Sequence, residues 1–258
     1  VIYAAIQTDM KRLLAYSSIE NIGLILVGFG LTLIFKAFKM PHFSALALTA
    51  TLYHCLNHAF FKSLLFLATG AVLHATGERN LGKLGGLIHR MPWVTWLALI
   101  GVLSSAGLPP FNGFVSEWLL LQGFLFTSGL PHGYLNMLLP VTAATVALIA
   151  ALAGYAMVKF FGVIFLGQPR EEKLAQAHDA SSLERIGLLW LGIGCILLGL
   201  LPNFVIDLLD PITRQLLGSG LRDGTTQSWW LLAPINADRA SYSAIAFFAS
   251  LAIMVPLA

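Results

Sequence analysis

The chain has 258 residues, of which 57% are hydrophobic and only 10% charged, and its mean hydropathy is +0.80. An average soluble domain carries about 25% charged residues, so the composition excludes a soluble globular protein. Fifteen Lys and Arg against twelve Asp and Glu leave a net charge of +3, and the basic residues sit in short clusters between apolar runs, which leaves no basic face for nucleic acid.

A helix that crosses a bilayer needs about 20 mostly apolar residues. In chain order, five stretches satisfy this: 13–35, 43–75, 92–127, 136–166 and 186–202. Residues 1–8 and 241–258 read as parts of two further spans. The chain opens on Val1 with no signal-peptide pattern, and it reads as a piece cut from a longer one. Segment 203–240 contains Asp210-Pro211, Gly218, Gly220, Gly224 and the pair Trp229-Trp230, which predicts an interfacial helix followed by a loop. Three parts are therefore expected: a transmembrane domain over 1–202, an extramembrane or interfacial segment over 203–240, and the start of a further span over 241–258.

The loops alternate in charge. Lys11 and Arg12, then Arg79, Lys83 and Arg90, then Arg170, Lys173 and Arg185 fall on one side, while the short loops opposite carry only Lys36 and Lys39. The positive-inside rule makes loops 9–12, 76–91 and 167–185 cytoplasmic; Arg214, Arg222 and Arg239 lie in a longer far-side segment, which counts for less. Cys55 and Cys195 are far apart in apolar runs and have no metal-ligand spacing.

Each of the first four spans contains one formal charge: Glu20, Lys62, Glu117 and Lys159. A charge at the centre of a span costs about 2.5 to 3.5 kcal/mol on insertion scales, so such groups face a bundle interior or a water-filled path. The second span places Thr51, His54, His58, Lys62 and Thr69 three, four, four and seven residues apart, a single helical stripe rising about 6 Å per four-residue step. Histidine and lysine on such a stripe can gain and lose protons when water links them. Two readings compete with proton transfer: the histidines are helix-packing groups, or they bind a metal. The metal reading lacks a nearby carboxylate or Cys to complete the site.

The third span contains Gly107-Leu108-Pro109-Pro110-Phe111-Asn112-Gly113 followed by Glu117. Two prolines remove helix donors and exclude the helical conformation before them. The halves 92–107 and 114–127 are each too short to cross alone, so the span is expected to be one broken helix with Glu117 just after the break. Irregular backbone at membrane depth is tolerated where protein or water satisfies it, which suits an ion path. Glu20 and Lys159 each lie about 10 Å from the cytoplasmic end at helical rise, and Lys159 can instead snorkel to that surface. The small residues Gly23, Gly28, Gly30 and Gly70 are expected to allow close helix contact.

The runs Asp9-Met10-Lys11-Arg12-Leu13-Leu14-Ala15-Tyr16-Ser17-Ser18-Ile19 with Gly23, His54-Cys55-Leu56-Asn57-His58-Ala59-Phe60-Phe61-Lys62-Ser63-Leu64-Leu65-Phe66, and Gly82-Lys83-Leu84-Gly85-Gly86-Leu87 carry a resemblance. They resemble the antiporter-like proton-channel subunits of respiratory complex I, multisubunit cation antiporters and membrane-bound hydrogenases. Ser18-Ile19-Glu20-Asn21-Ile22-Gly23 and Asn112-Gly113-Phe114-Val115-Ser116-Glu117-Trp118 look most like the formate hydrogenlyase-type hydrogenase branch. The resemblance covers residues 1 to about 201. It implies an all-α polytopic membrane helix bundle with a broken helix, formed by the second inverted repeat of the antiporter-like fold plus C-terminal helices.

The resemblance further implies that Lys62, His54, His58 and Glu117 occupy the family's proton-transfer positions, whereas Glu20 departs from the neutral residue of many relatives. It implies a non-catalytic pumping subunit in the cell inner membrane that binds no cofactor or metal itself. Iron–sulfur and nickel–iron, or flavin and quinone, are expected in the peripheral redox module and other membrane subunits that would be its partners, with protons, or else Na⁺, as the translocated ion. Two rival readings stay open: a Na⁺/H⁺ antiporter component without redox coupling, and a helical scaffold whose charges only pair with one another.

Overall fold

The computed structural model describes residues 1–127, 130–223, 229–234 and 241–254; Gly224 and Arg239 lie outside the described residues. Among the described residues the chain is all helix and connection. The α-helices are α1 (Ile2–Ile6), α2 (Met10–Ala37), α3 (Pro41–Thr76), α4 (Pro92–Ser105), α5 (Asn112–Phe124), α6 (Gly133–Phe165), α7 (Ser182–Leu200), α8 (Pro202–Leu217) and α9 (Ala244–Met254). Four of them, α2, α3, α6 and α7, are long and apolar enough to cross a membrane. The third predicted span is two short helices, α4 and α5, separated by residues 106–111. The break thus lies where the prolines place it, although α5 begins at Asn112, two residues before the expected start.

Local chemistry explains the boundaries. Asp9 Oδ1 accepts hydrogen bonds from the Lys11 and Arg12 amides (2.9 and 3.1 Å), which satisfies two orphan donors of α2. Ser181 and Glu184 cap α7 reciprocally: the Ser181 amide donates to Glu184 Oε2 and the Glu184 amide to Ser181 Oγ. α3, α4 and α8 begin with proline, which loses nothing at the first helical position. The Trp93 amide of α4 donates to Asp179 Oδ2 (2.9 Å), a cap supplied from a distant loop. Gly218 ends α8 in the left-handed conformation (φ 76°).

The chain forms two compact units. The first comprises Val1–Ile22, His58–Leu108 and Ile149–Ile196; the second comprises Gly23–Asn57, Pro109–Leu148 and Leu197–Ala258. Helices α2, α3, α6 and α7 each contribute to both. The first unit has a continuous apolar core in which Leu13, Phe61, Leu64, Val94, Phe160 and Leu188 are fully buried.

One end of the first unit gathers all three loops expected to share a membrane side. The Met10 amide donates to Arg79 O, the Leu81 amide to Thr8 O and the Gly86 amide to Leu166 O, while Arg170 Nη1 donates to Leu81 O. Gly85 and Gly86 are required here, because a Cβ at either would meet the Gln168–Pro169 backbone at 2.5 to 2.9 Å and Gly86 has φ +68°. Glu78 sits within this loop layer, accepts from the Arg79 and Asn80 amides and pairs with Lys173. Those bonds, the Asn80 amide first, hold its carboxyl down at about 2.

In the second unit, Lys36 Nζ donates to Leu216 O and Ser219 Oγ to Pro41 O, tying the α2–α3 turn to the end of α8. α8 is amphipathic. Phe204, Leu208, Ile212 and Leu216 form an exposed apolar row four residues apart, and Asp207, Asp210 and Arg214 carry ion pairs with Arg222 and with each other. The predicted fifth span therefore ends at Leu200, and the amphipathic segment begins at Pro202.

The expectation for the glycines needs correction. Gly28 is a close contact, since a Cβ there would collide with Thr51, but Gly23, Gly30 and Gly70 have open space around them. Position within an apolar run does not tell a glycine at a helix crossing from one with open space beside it. The tight crossing that the sequence reading missed is Gly199 of α7, where a Cβ would strike the Pro110 carbonyl and lie 2.8 Å from the Asn112 amide.

Candidate functional site

α3 positions the site. It runs unbroken from Pro41 to Thr76, and Thr51, His54, Lys62 and Thr69 are all buried along it, with His58 half-buried. From His54 to Lys62 the helix rises about 12 Å. Lys62 is only 4% exposed, so its long side chain does not reach a surface.

In the first unit, Lys62 Nζ donates to Ser17 Oγ at 2.6 Å and lies 5.8 Å from the Phe61 ring centre. Ser17 and Glu20 are three residues apart on α2 and share a face. The Glu20 and Lys62 charges act on each other electrostatically. Glu20 Oε2 and His58 Nε2 are buried without a hydrogen-bond partner among the described residues. The Glu20 carboxylate supplies a compensating charge for the buried ammonium, and the Ser17 hydroxyl that accepts from Lys62 can also donate. Ser17 lies in the run 9–19 that carries the family resemblance. The i, i+3 spacing to Glu20 was the available signal.

In the second unit the site is held by hydrogen bonds. His54 Nδ1 lies 3.0 Å from Ser116 Oγ, and Asn57 Nδ2 donates both to Ser116 Oγ (2.9 Å) and to the Asn112 carbonyl (2.7 Å). Ser116 Oγ in turn donates to Gly113 O (3.1 Å). The hydroxyl has one hydrogen. When it points at Gly113, His54 Nδ1 donates; when it points at His54, Nδ1 accepts. The pair is therefore a place where a proton can be passed on with only small movements. Asn57 Oδ1 and Asn112 Oδ1 are buried acceptors with no partner among the described residues, and acceptors of this kind are the ones that hold internal water.

Glu117 follows Ser116 on α5 and is half-buried. Irregular backbone over 106–111 is accommodated by Gly107 (φ 62°), by the Leu108 amide donating to Leu103 O and, in the second unit, by Gly199 of α7 packing directly against the backbone at Pro110 and Asn112. Tyr53, fully buried on α3, donates its hydroxyl to the Leu198 carbonyl near the end of α7.

Lys159 takes a different place. Its ammonium donates to Ala5 O (2.7 Å) and Gln7 O (3.0 Å), the last carbonyls of α1. It neither snorkels nor faces a titratable group in these contacts; it caps a helix C-terminus, where a cation is favoured.

With this geometry in view, the chain's relatives can be placed. Residues 2–132, about half the chain, match the family described as NADH:quinone oxidoreductase/Mrp antiporter, TM. The chain is 39% identical over 209 residues to formate hydrogenlyase subunit 3 of Escherichia coli (strain K12), covering 81% of this chain and 34% of that protein. It is 36% identical over 205 residues to hydrogenase-4 component B of the same organism, covering 80% and 30%. The structure superposes on a chain of the membrane-bound sulfane sulfur reductase, an archaeal respiratory membrane complex, with a TM-score of 0.79 at 28% identity over 99% of this chain and 37% of that one. The chain thus spans about a third of the length of these relatives, which work within multisubunit membrane complexes. Broken helix, buried lysine stripe and family match agree: this chain is a membrane protein belonging to the NADH:quinone oxidoreductase/Mrp antiporter transmembrane family.

Proposed function

We propose that this chain is the part of a proton-translocating membrane subunit that carries protons along α3, coupled to redox chemistry in partner subunits of a hydrogenase or NADH:quinone oxidoreductase type complex. The observation that carries the reading is the buried Lys62 ammonium on Ser17, with Glu20 acting on it electrostatically. A cation held this way in an apolar core has no structural need that a leucine would not meet at lower cost.

In this reading Lys62 is the central carrier, Glu20 its exchange partner, and Ser17 the hydroxyl that holds the ammonium. His58 and His54 continue the route one and two turns earlier on the same helix, and Ser116 hands on to Glu117 beside the break. Lys159 is read as structural in this scheme, in keeping with its two carbonyl partners. Residues 1–202 form the antiporter-like domain, 203–240 the interfacial segment and 241–258 the start of a further span. The subunit lies in the cell inner membrane with loops 9–12, 76–91 and 167–185 in the cytoplasm. Its partners are other membrane subunits and a peripheral redox module, which holds the iron–sulfur and nickel–iron, or flavin and quinone, groups. The family description also names the Mrp antiporter, but Na⁺ coordination calls for several converging oxygen ligands, and each unit offers a single intramembrane carboxylate on the elements described.

The test is Glu117→Gln in the full-length subunit, assembled in its complex and reconstituted into vesicles. Gln keeps shape and hydrogen bonding and removes the titratable proton, so the proton-to-electron ratio is expected to fall while assembly persists. An unchanged ratio and rate would make Glu117 structural.

A further inference from the structure

The loop layer at the basic end of the first unit contains a cavity of about 580 Å³ lined by Asp9, Lys11, Arg12, Ala15, Phe66 and Arg79. Most cations of this layer have internal partners. Lys83 and Lys173 share Glu78 and Glu171, Arg170 donates to Leu81 O, and Arg185 donates to Ala180 O while stacking on Trp93. The side chains of Lys11, Arg12 and Arg90 have no hydrogen bond or ion pair among the described residues, and of these Lys11 and Arg12 line the cavity; Arg79 meets Asp9 through Nε alone (3.1 Å). Asp9 already occupies the α2 amides, so the cavity offers side-chain cations rather than a helix terminus.

Three positive charges against one carboxylate leave the cavity cationic, and it opens onto apolar surface. Ala15 of its wall is followed on the same α2 face by Ile19 (66% exposed) and Ile22 (46% exposed), and Phe66 is itself partly exposed. Tyr16, stacked on Tyr3 at 5.7 Å, sits one turn inside Arg12, the depth at which aromatic residues mark the membrane interface. A water-soluble acidic partner would have no use for the apolar stripe. A lipid uses both.

We propose that this cavity binds the phosphodiester headgroup of an anionic glycerophospholipid through Lys11, Arg12 and Arg79, with an acyl chain lying along Ala15, Ile19 and Ile22.

The test uses the full-length subunit in its assembled complex, stripped of lipid in detergent and titrated with phosphatidylglycerol, phosphatidylcholine or inorganic phosphate, with bound molecules counted by native mass spectrometry. One phosphatidylglycerol is expected to bind the parent about 30-fold more tightly than the Lys11→Gln/Arg12→Gln variant, the factor that corresponds to about 1 kcal/mol for each of two interfacial cations. The Lys11→Arg/Arg12→Lys swap keeps both charges and should keep the affinity. Arg90→Gln, exposed on the same loop layer, should leave it unchanged. Equal phosphatidylglycerol binding in parent and Gln variant would overturn the proposal, as would equal binding of phosphatidylcholine or displacement of the lipid by an equal concentration of phosphate. Loss of a neighbouring subunit from the Gln variant with an unchanged lipid count would make the surface a protein contact instead. If the Gln variant does not assemble, the parent's preference for phosphatidylglycerol over phosphatidylcholine and phosphate decides.

Discussion

Lys62 and His54 are two turns apart on the same helix and equally buried, yet they are accommodated by opposite means. Around Lys62 the solution is charge: a carboxylate on α2 answers the ammonium, and one hydroxyl accepts from it. Around His54 it is hydrogen bonding, with Ser116, Asn57 and the Asn112 carbonyl forming a connected set. Low dielectric makes an unanswered charge more costly than an unanswered hydrogen bond, so damage at the two places should differ in size and in how it is repaired.

The largest effect is expected for Lys62→Met. It leaves the half-buried Glu20 carboxylate without its cation, a loss of up to about 3 kcal/mol, so assembled complex in membranes should drop sharply. Adding Glu20→Gln should restore assembly, and a double variant no better assembled than the single would break the charge account. Next comes the break itself. Gly199→Ala places a methyl group against the Pro110 carbonyl and Asn112 amide, an overpacking cost of about 1 to 3 kcal/mol, whereas Gly30→Ala, in open space, should lower the thermal inactivation midpoint not at all. Ser116→Ala removes the hub of the hydrogen-bonded network for about 1 kcal/mol; proton transfer should slow with the complex still assembled, and undiminished transfer would show that His54 hands on by another route.

The smallest effect lies outside the membrane. Glu78 is held down at about 2 by the Asn80 amide first and by Lys173 and the Arg79 amide besides. A carboxyl lowered on folding stabilises above its unfolded value and loses that contribution as pH falls through its folded one. Amide protection in loops 76–91 and 167–185 should therefore decline between about pH 4.5 and 2, and in Glu78→Gln that decline should be absent.

The sequence made the spans, the break and the α3 stripe legible because hydropathy, proline chemistry and helical period are local signals. The common side of three basic loops was legible from charge alternation, and the hydrogen bonds among them agree. What stayed hidden depends on which helix meets which. Ser116 as the partner of His54 and Gly199 against the break are long-range contacts with no local signature, and for Ser17 as the partner of Lys62 the i, i+3 spacing to Glu20 is the sole local sign. Lys159 shows the same limit: a charge inside an apolar run gives no sign that its ammonium meets the carbonyls of Ala5 and Gln7. Gly23, Gly30 and Gly70 matched the small-residue pattern, but no neighbouring helix approaches them.

The central claim is that the Lys62–Glu20 pair moves protons rather than merely holding α2 and α3 together. The most direct measurement is the proton-to-electron ratio of the assembled complex in sealed vesicles carrying Lys62→Gln/Glu20→Gln, a variant that is uncharged at both positions and keeps polar side chains of similar size. The account predicts normal assembly and continuing electron transfer with a clearly reduced ratio; a ratio equal to that of the parent would contradict it.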